Sequence, residues 1–453
     1  MKKTLLFFFA STLFCFSTFA QWIEQATGFS TASRGINQIV ITSQTTAWAT
    51  AYNGSGSGST NVRDFARTTD GGATWTAGTV TAAPTNFSWS CLAAIDENTA
   101  WAMFFKNTAA ATGGIFKTTD GGLNWAQQGA GVIFATANTS FPDVLHFWDA
   151  NTGLAVGDPV AGEFEIYTTA DGGTTWTAVA GANIPDPIAG EYGYTRVFAV
   201  AGDIFWFGTN KGRIYKSTDK GATWSVVQVT GLIDLIEIDY KDENLGWARY
   251  LDASSNHTFM RTTDGGTTWT QVFPTGNGTM HLGGLAYVPK TDMTLVSTGV
   301  DFNIGDLGSS YSLDGGDTWE DIDFENQYTT VNFFDNITGW AGGFNLDATT
   351  GGIFKYDGGF VATGITPAIA DYKLKLYPNP STGLFYLGFD AENNLPINVL
   401  VTDALGKVIL KTEYKDKSQL WLKSVDLTNY APGVYFLKLE NNGNETTQKL
   451  IVQ

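Results

Sequence analysis

The chain holds two cysteines and three histidines in 453 residues. Cys15 lies in an apolar run at the N-terminus, which leaves Cys91 as the cysteine of the body. One cysteine cannot form an internal disulfide, so stability must come from packing. Cys91 is expected as a small buried residue on a strand. His146, His257 and His281 share no paired spacing, so no zinc pattern exists. A phosphate-cradling glycine loop is also missing, and Asn53 to Thr60 reads as a Gly/Ser loop. No metal and no cofactor is expected. Charged residues make up 15% of the chain, too few for a helical repeat protein. After the first twenty residues, no apolar stretch is long enough to span a bilayer.

Those first twenty residues read as a secretory signal. Lys2 and Lys3 precede an apolar run from Leu5 to Phe16, and Thr18 and Ala20 are small residues at −3 and −1 to a cut before Gln21. Residues 21–370 carry 35 acidic and 15 basic side chains, whereas residues 371–453 carry nine of each. A body this acidic repels phosphate backbones, so nucleic acid is not an expected partner.

Glycine and tryptophan are abundant, at 52 and 15 copies, and they recur in register. Thr68-Thr69-Asp70-Gly71-Gly72-Ala73-Thr74-Trp75 is the first of six such phrases. Their aspartates are Asp70, Asp120, Asp171, Asp219, Asp264 and Asp314, spaced 50, 51, 48, 45 and 50 residues apart. A hydroxyl residue stands two before each aspartate, a glycine two after and a tryptophan five after. The aspartate can accept hydrogen bonds from N–H groups ahead of it, and the glycines permit positive φ. The tryptophan then buries a large ring at the next strand. These aspartates are expected to make turns, with no part in catalysis.

A second phrase precedes each turn, as in Thr46-Ala47-Trp48-Ala49 and Leu245-Gly246-Trp247-Ala248, and it occurs seven times. Short apolar runs between turn residues read as buried strands. The seventh turn, around Asp357, lacks its tryptophan, while Trp22-Ile23-Glu24-Gln25 looks like the missing piece. The expected fold is all-β: a seven-bladed β-propeller over 21–360, its last blade closed by the N-terminal strand. A small C-terminal β-sandwich follows over 372–453, after a linker at 361–371.

The six phrases resemble the Asp-box, or BNR, repeat. Sialidases, xyloglucan-active glycoside hydrolases, sortilin-type receptors and photosystem II assembly-factor-like propellers carry it, so the resemblance implies the fold and leaves the function open. The tail phrases Leu376-Tyr377-Pro378-Asn379-Pro380, Asp403-Ala404-Leu405-Gly406-Lys407 and Pro432-Gly433-Val434-Tyr435 resemble the type A sorting domain of type IX (Por) secretion. That resemblance implies export by the type IX machinery and release or fixing at the outer cell surface.

Chemistry is expected in irregular loops, where propellers carry function. The least regular stretch runs from Phe141 to Arg196. Asp158 and Glu191 are the candidate catalytic carboxylates of a glycoside hydrolase. Asp143, His146, Glu163, Tyr194 and Arg196 are candidate ligand-facing groups. A sialidase is disfavoured: seven arginines occur in the whole chain, and the Arg-Ile-Pro phrase of that family is absent. The leading expectation is a non-catalytic binding or scaffolding module with a glycan or surface-protein ligand. The alternative is an extracellular glycoside hydrolase.

Overall fold

The computed structural model describes residues 21–453 except 59–60, 107–112, 137–138, 253, 302–304, 361–374, 391–396, 404–406, 415–419 and 442–443. The signal peptide expected over 1–20 and the linker over 361–371 lie outside the described residues. The chain divides into two compact units, Met1–Ala362 and Thr363–Gln453.

The first unit is built from four-stranded antiparallel groups. Residues 34–79, 87–128, 142–178, 193–228 and 232–272 each form one. Gly284–Tyr287, Leu295–Asp301, Asp306–Ser312 and Thr318–Asp323 form the next. The last group takes three strands from Thr330–Asp335, Thr338–Asp347 and Thr350–Tyr356, and its fourth is Trp22–Ala26. Trp22 stands opposite Tyr356 and Ala26 opposite Gly352. The first strand of each group contacts that of the next, and Arg34–Ile41 contacts Thr330–Asp335, so the ring closes. This is an all-β propeller. Closure leaves few exposed sheet edges.

The core lies between neighbouring groups. The second strands, such as Ala47–Asn53 and Ala100–Lys106, are buried on both faces over their first five residues. A strand covered on both faces reads as a continuous apolar run, which is why the second phrase carries no polar alternation. Trp101, Trp206 and Trp247 of these phrases reach the Asp turn of the next group, and Trp48 donates to Asp96 O instead. Trp101 Nε1 donates to Gly172 O (2.9 Å) and Trp247 Nε1 to Gly315 O (2.9 Å). Lys117 and Lys216 lie over the rings of Trp101 and Trp206 and donate to the carbonyls of Gly172 and Gly265. The N-terminal strand uses the same device. Gln25 Oε1 accepts from Trp75 (2.9 Å) and Trp340 (3.1 Å), and the Asp357 N–H donates to Gln21 O (2.8 Å). Cys91 is buried within Phe87–Ala94, where burial pushes its thiol pKa up.

All six aspartates sit in one hydrogen-bond pattern. Asp70 Oδ1 accepts from the Thr74 N–H (2.9 Å) and from Thr68 Oγ1 (2.8 Å), and Oδ2 accepts from Thr74 Oγ1 (2.6 Å). Thr68 Oγ1 in turn accepts from the Gly72 N–H (2.9 Å). Gly71 and Gly72 have φ of 72° and 85°, the left-handed region that glycine enters freely. The fourth turn differs: Lys220 takes the first position at φ 55°.

The second unit is a two-sheet sandwich. Lys375–Tyr377, Leu384–Asp390 and Leu420–Asp426 form one sheet. Val408–Tyr414, Ile397–Asp403, Gly433–Asn441 and Asn444–Val452 form the other. Phe385, Leu387 and Val425 meet Val401, Leu437 and Leu450 between them. Asn379, from the tail motif, clasps the last strand: its side chain donates to Lys449 O (2.6 Å) and accepts from the Ile451 N–H (2.9 Å).

Candidate functional site

The irregular stretch forms the groups 142–178 and 193–228. Register shifts between Pro142 and Val144, between Gly157 and Pro159, and between Gly193 and Phe198 break the ladder there. Bulges re-aim side chains. Arg196 adopts φ 66° inside the third of these shifts. Regular alternation would turn Tyr194 and Arg196 to one face. The bulge instead sends them into different cavities, with Thr195 lining both.

The first cavity, about 430 Å³, is walled by Phe105, Phe141, Tyr192 and Tyr194, with Asp143, Asp158, Gly193 and Thr195. The ring centroids of Phe105 and Phe141 are 4.7 Å apart, and those of Tyr192 and Tyr194 are 5.5 Å apart and nearly perpendicular. Tyr194 donates its hydroxyl to Asp234 Oδ1 (2.5 Å), which fixes its ring. Asp143 is 1% exposed and neither of its oxygens has a donor. Asp158 Oδ1 accepts from the Gly193 N–H (2.9 Å). Asp158 lies beside Asp143, close enough to act on its titration, and two carboxylates offer one another no donor. Burial first, then the charge of Asp158, pushes Asp143 well above the usual carboxylate range. Burial pushes Asp158 up to about 6, against the pull of the Gly193 N–H. Burial and the neighbouring acid both disfavour two ionised carboxyls at this place. Gly193 makes room for the pair: a Cβ there would lie 2.6 Å from Asp143 Oδ2.

The second cavity, about 460 Å³, is lined by first strands of several groups and so lies at the ring centre. Arg196, His146, Glu237 and Asp239 face it. Arg196 Nη1 donates to Ser90 O (3.1 Å). His146 packs among Trp148, Phe198 and Phe205, and burial lowers it to about 4, so its ring is neutral. Glu237 pairs with Arg249 (2.6 Å), and burial raises Asp239 to about 7.

Of the expected pair, Asp158 lines the first cavity and Glu191 does not. Glu191 is buried and saturated, accepting from Thr209 Oγ1 (2.7 Å), Arg213 Nη1 (2.5 Å) and the Ile188 N–H (2.9 Å). It braces its loop, and the partner of Asp158 is Asp143. Glu163 lines neither cavity; it packs against Gly181, with a buried Oε2 that has no donor. Phe105 sits in the apolar run Ala100–Phe105, which reads as core, and Phe141 stands at the edge of the irregular stretch, so the sequence marks neither as a site residue.

The architecture and its tail define the class: an all-β propeller followed by a secretion sorting domain. Residues 375–453 match the family described as "Secretion system C-terminal sorting domain". This tail marks the chain for type IX export, to the cell surface or beyond it. No curated protein matches the sequence. Among solved structures, YCF48 from Cyanidioschyzon merolae is 15% identical, with 74% of this chain and 98% of that one covered at a TM-score of 0.52. The GH74 enzyme of Niastella koreensis is 14% identical, covering 94% and 73% at a TM-score of 0.49. A Trypanosoma rangeli sialidase is 9% identical, covering 95% and 87% at 0.41. The first of these supports the propeller fold; at such identity the likeness extends no further.

Proposed function

We propose that the chain is a secreted, seven-bladed binding module, carried out of the cell by its tail and non-catalytic at the pocket of Asp143 and Asp158. The burial of Asp143 beside Asp158 carries the reading. A retaining glycosidase holds its two carboxyls roughly 5–5.5 Å apart and an inverting one roughly 6.5–9.5 Å, with the sugar between them. Here both oxygens of Asp143 are buried, so it does not flank an open sugar site with Asp158 in either way. Aromatic walls over a polar floor suit ligand binding. Cleavage of the first twenty residues before Gln21 belongs to the same proposal.

The raised Asp158 favours a second reading, since a carboxyl near 6 can serve as a general acid. One experiment separates the two. Residues 21–453 are tested on a broad glycan and surface-protein panel for binding and for cleavage together. Binding without turnover is expected. Turnover that Asp158→Asn abolishes would sink the non-catalytic reading.

A further inference from the structure

Asp143 is an unfinished site. A carboxylate removed from water and given no donor is strongly disfavoured, and here both oxygens lack one. The neighbouring Asp158 adds a second acidic group. Among the described residues, the pocket is lined by no lysine or arginine that could neutralise the remaining charge. Tyr194 has given its hydroxyl proton to Asp234 and cannot donate to Asp143. The remaining wall is made of aromatic rings, whose faces attract cations.

We propose that this pocket binds a primary ammonium group, carried by an amino sugar or by a lysine side chain; the inference rests on the binding reading above. An ammonium hydrogen-bonds Asp158, the accessible carboxyl of the two, and its positive charge offsets the carboxyl of Asp143 buried behind it. A neutral hydroxyl supplies a donor but leaves the charge uncompensated. A quaternary ammonium supplies the charge but no donor. Calcium takes six to eight oxygen ligands, far more than two carboxyls provide.

Titration calorimetry on residues 21–453 at neutral pH tests the proposal with two matched sets of probes. One set is a glucosamine tetramer and its N-acetylated counterpart. The other is Nα-acetyl-lysine amide and its Nε-acetylated counterpart. Within at least one set, the amine is expected to bind roughly tenfold tighter than the acetylated probe, and the set with the larger ratio identifies the source. Asp143→Asn should remove that ratio while leaving the acetylated probe unchanged. If that variant does not fold, Tyr192→Ala replaces it. Tyr192 is 43% exposed, so its loss should weaken amine binding severalfold with the circular dichroism spectrum intact. Equal affinity within both sets, or a preference that survives Asp143→Asn, overturns the ammonium proposal. Failure of all four probes also overturns it, but the module reading then stands if another ligand binds the same chain.

Discussion

The six turn aspartates and the Asp143–Asp158 pair are the same side chain in opposite environments. Asp264 sits in an exposed turn, and Thr268, donating from side chain and backbone, pulls it down to about 2. Asp158 sits in a pocket where burial outweighs a single N–H donor and lifts it to about 6. Donors decide the first case and desolvation decides the second. An aspartate whose oxygens are all accounted for holds a turn. An aspartate left short of donors is available to a ligand. Repetition and chemistry thus occupy separate parts of this ring, and each claim can be tested by substitution.

The largest effect should come from the repeated framework. Trp22 is 5% exposed, donates to Ser309 Oγ (2.9 Å) and packs on Tyr328, Phe333 and Tyr356. Trp22→Ala removes that packing from the strand that closes the ring. A cost of about 3–5 kcal/mol is expected from urea unfolding. Affinity for any pocket ligand should not change while the protein remains folded. A small stability loss with a large affinity loss would break the separation of frame and pocket.

The pocket should show the opposite pH behaviour from the turns. The folded Asp158 lies near 6, above an unfolded value of about 4. A group raised on folding contributes fully below its unfolded value and loses that contribution as pH rises through its folded one. Asp143, raised by burial and by Asp158, and Glu165, raised by burial, act in the same direction. Stability should therefore fall as pH rises from about 4 to about 6, on the order of 1–3 kcal/mol for Asp158 alone. Asp158→Asn should flatten that slope in melting temperature against pH. Parallel curves for the two proteins would show that this carboxyl is not raised.

How much was legible follows from the same contrast. The turns announce themselves because each needs a hydroxyl, an aspartate, a glycine and a tryptophan at fixed offsets. Trp22 was legible as the missing part of the phrase at Asp357. The pocket was only half legible. Asp158 and Tyr194 stood out as polar groups in an irregular stretch. Phe105 comes from another strand group, and the Asp143 contact depends on bulges at Pro142 and Gly157. Bulges leave no period in a sequence, so nothing in it marks that Tyr194 and Arg196, two residues apart, enter different cavities.

A single turn should matter less than the ring closure or the pocket charge. Partial burial alone would raise Asp314, but its bonds from Thr318 and Ser312 outweigh that and hold it below the usual range. Asp314→Ala removes those acceptors and leaves the Thr318 N–H to water. By analogy with lost helix caps the cost is about 0.5–2 kcal/mol. Here the sign reverses: the turn contributes above the unfolded carboxylate value and fades as pH falls through the folded one. Urea midpoints at pH 7 and pH 3 should converge for variant and parent. A gap that widens in acid would contradict the turn-making role.

The smallest effect separates two costs inside one turn. Lys220 holds the position that glycine fills in the other five boxes, at φ 55°. A side chain in that region costs roughly 1–2 kcal/mol, which Lys220→Gly would relieve. Glycine gives back about 0.5–1 kcal/mol through its greater freedom in the unfolded chain. The variant also loses the ion pair to Asp203 (3.3 Å) and the contact with the Trp148 ring. That pair is on the surface and contributes about 0–1 kcal/mol. These terms nearly cancel, so the unfolding free energy should change by less than about 0.5 kcal/mol. Salt then distinguishes them, because it screens the ion pair and leaves the backbone terms alone. Raising the salt concentration should shift the comparison in favour of glycine, and a shift toward lysine would mean that the pair between Lys220 and Asp203 does not stabilise this turn.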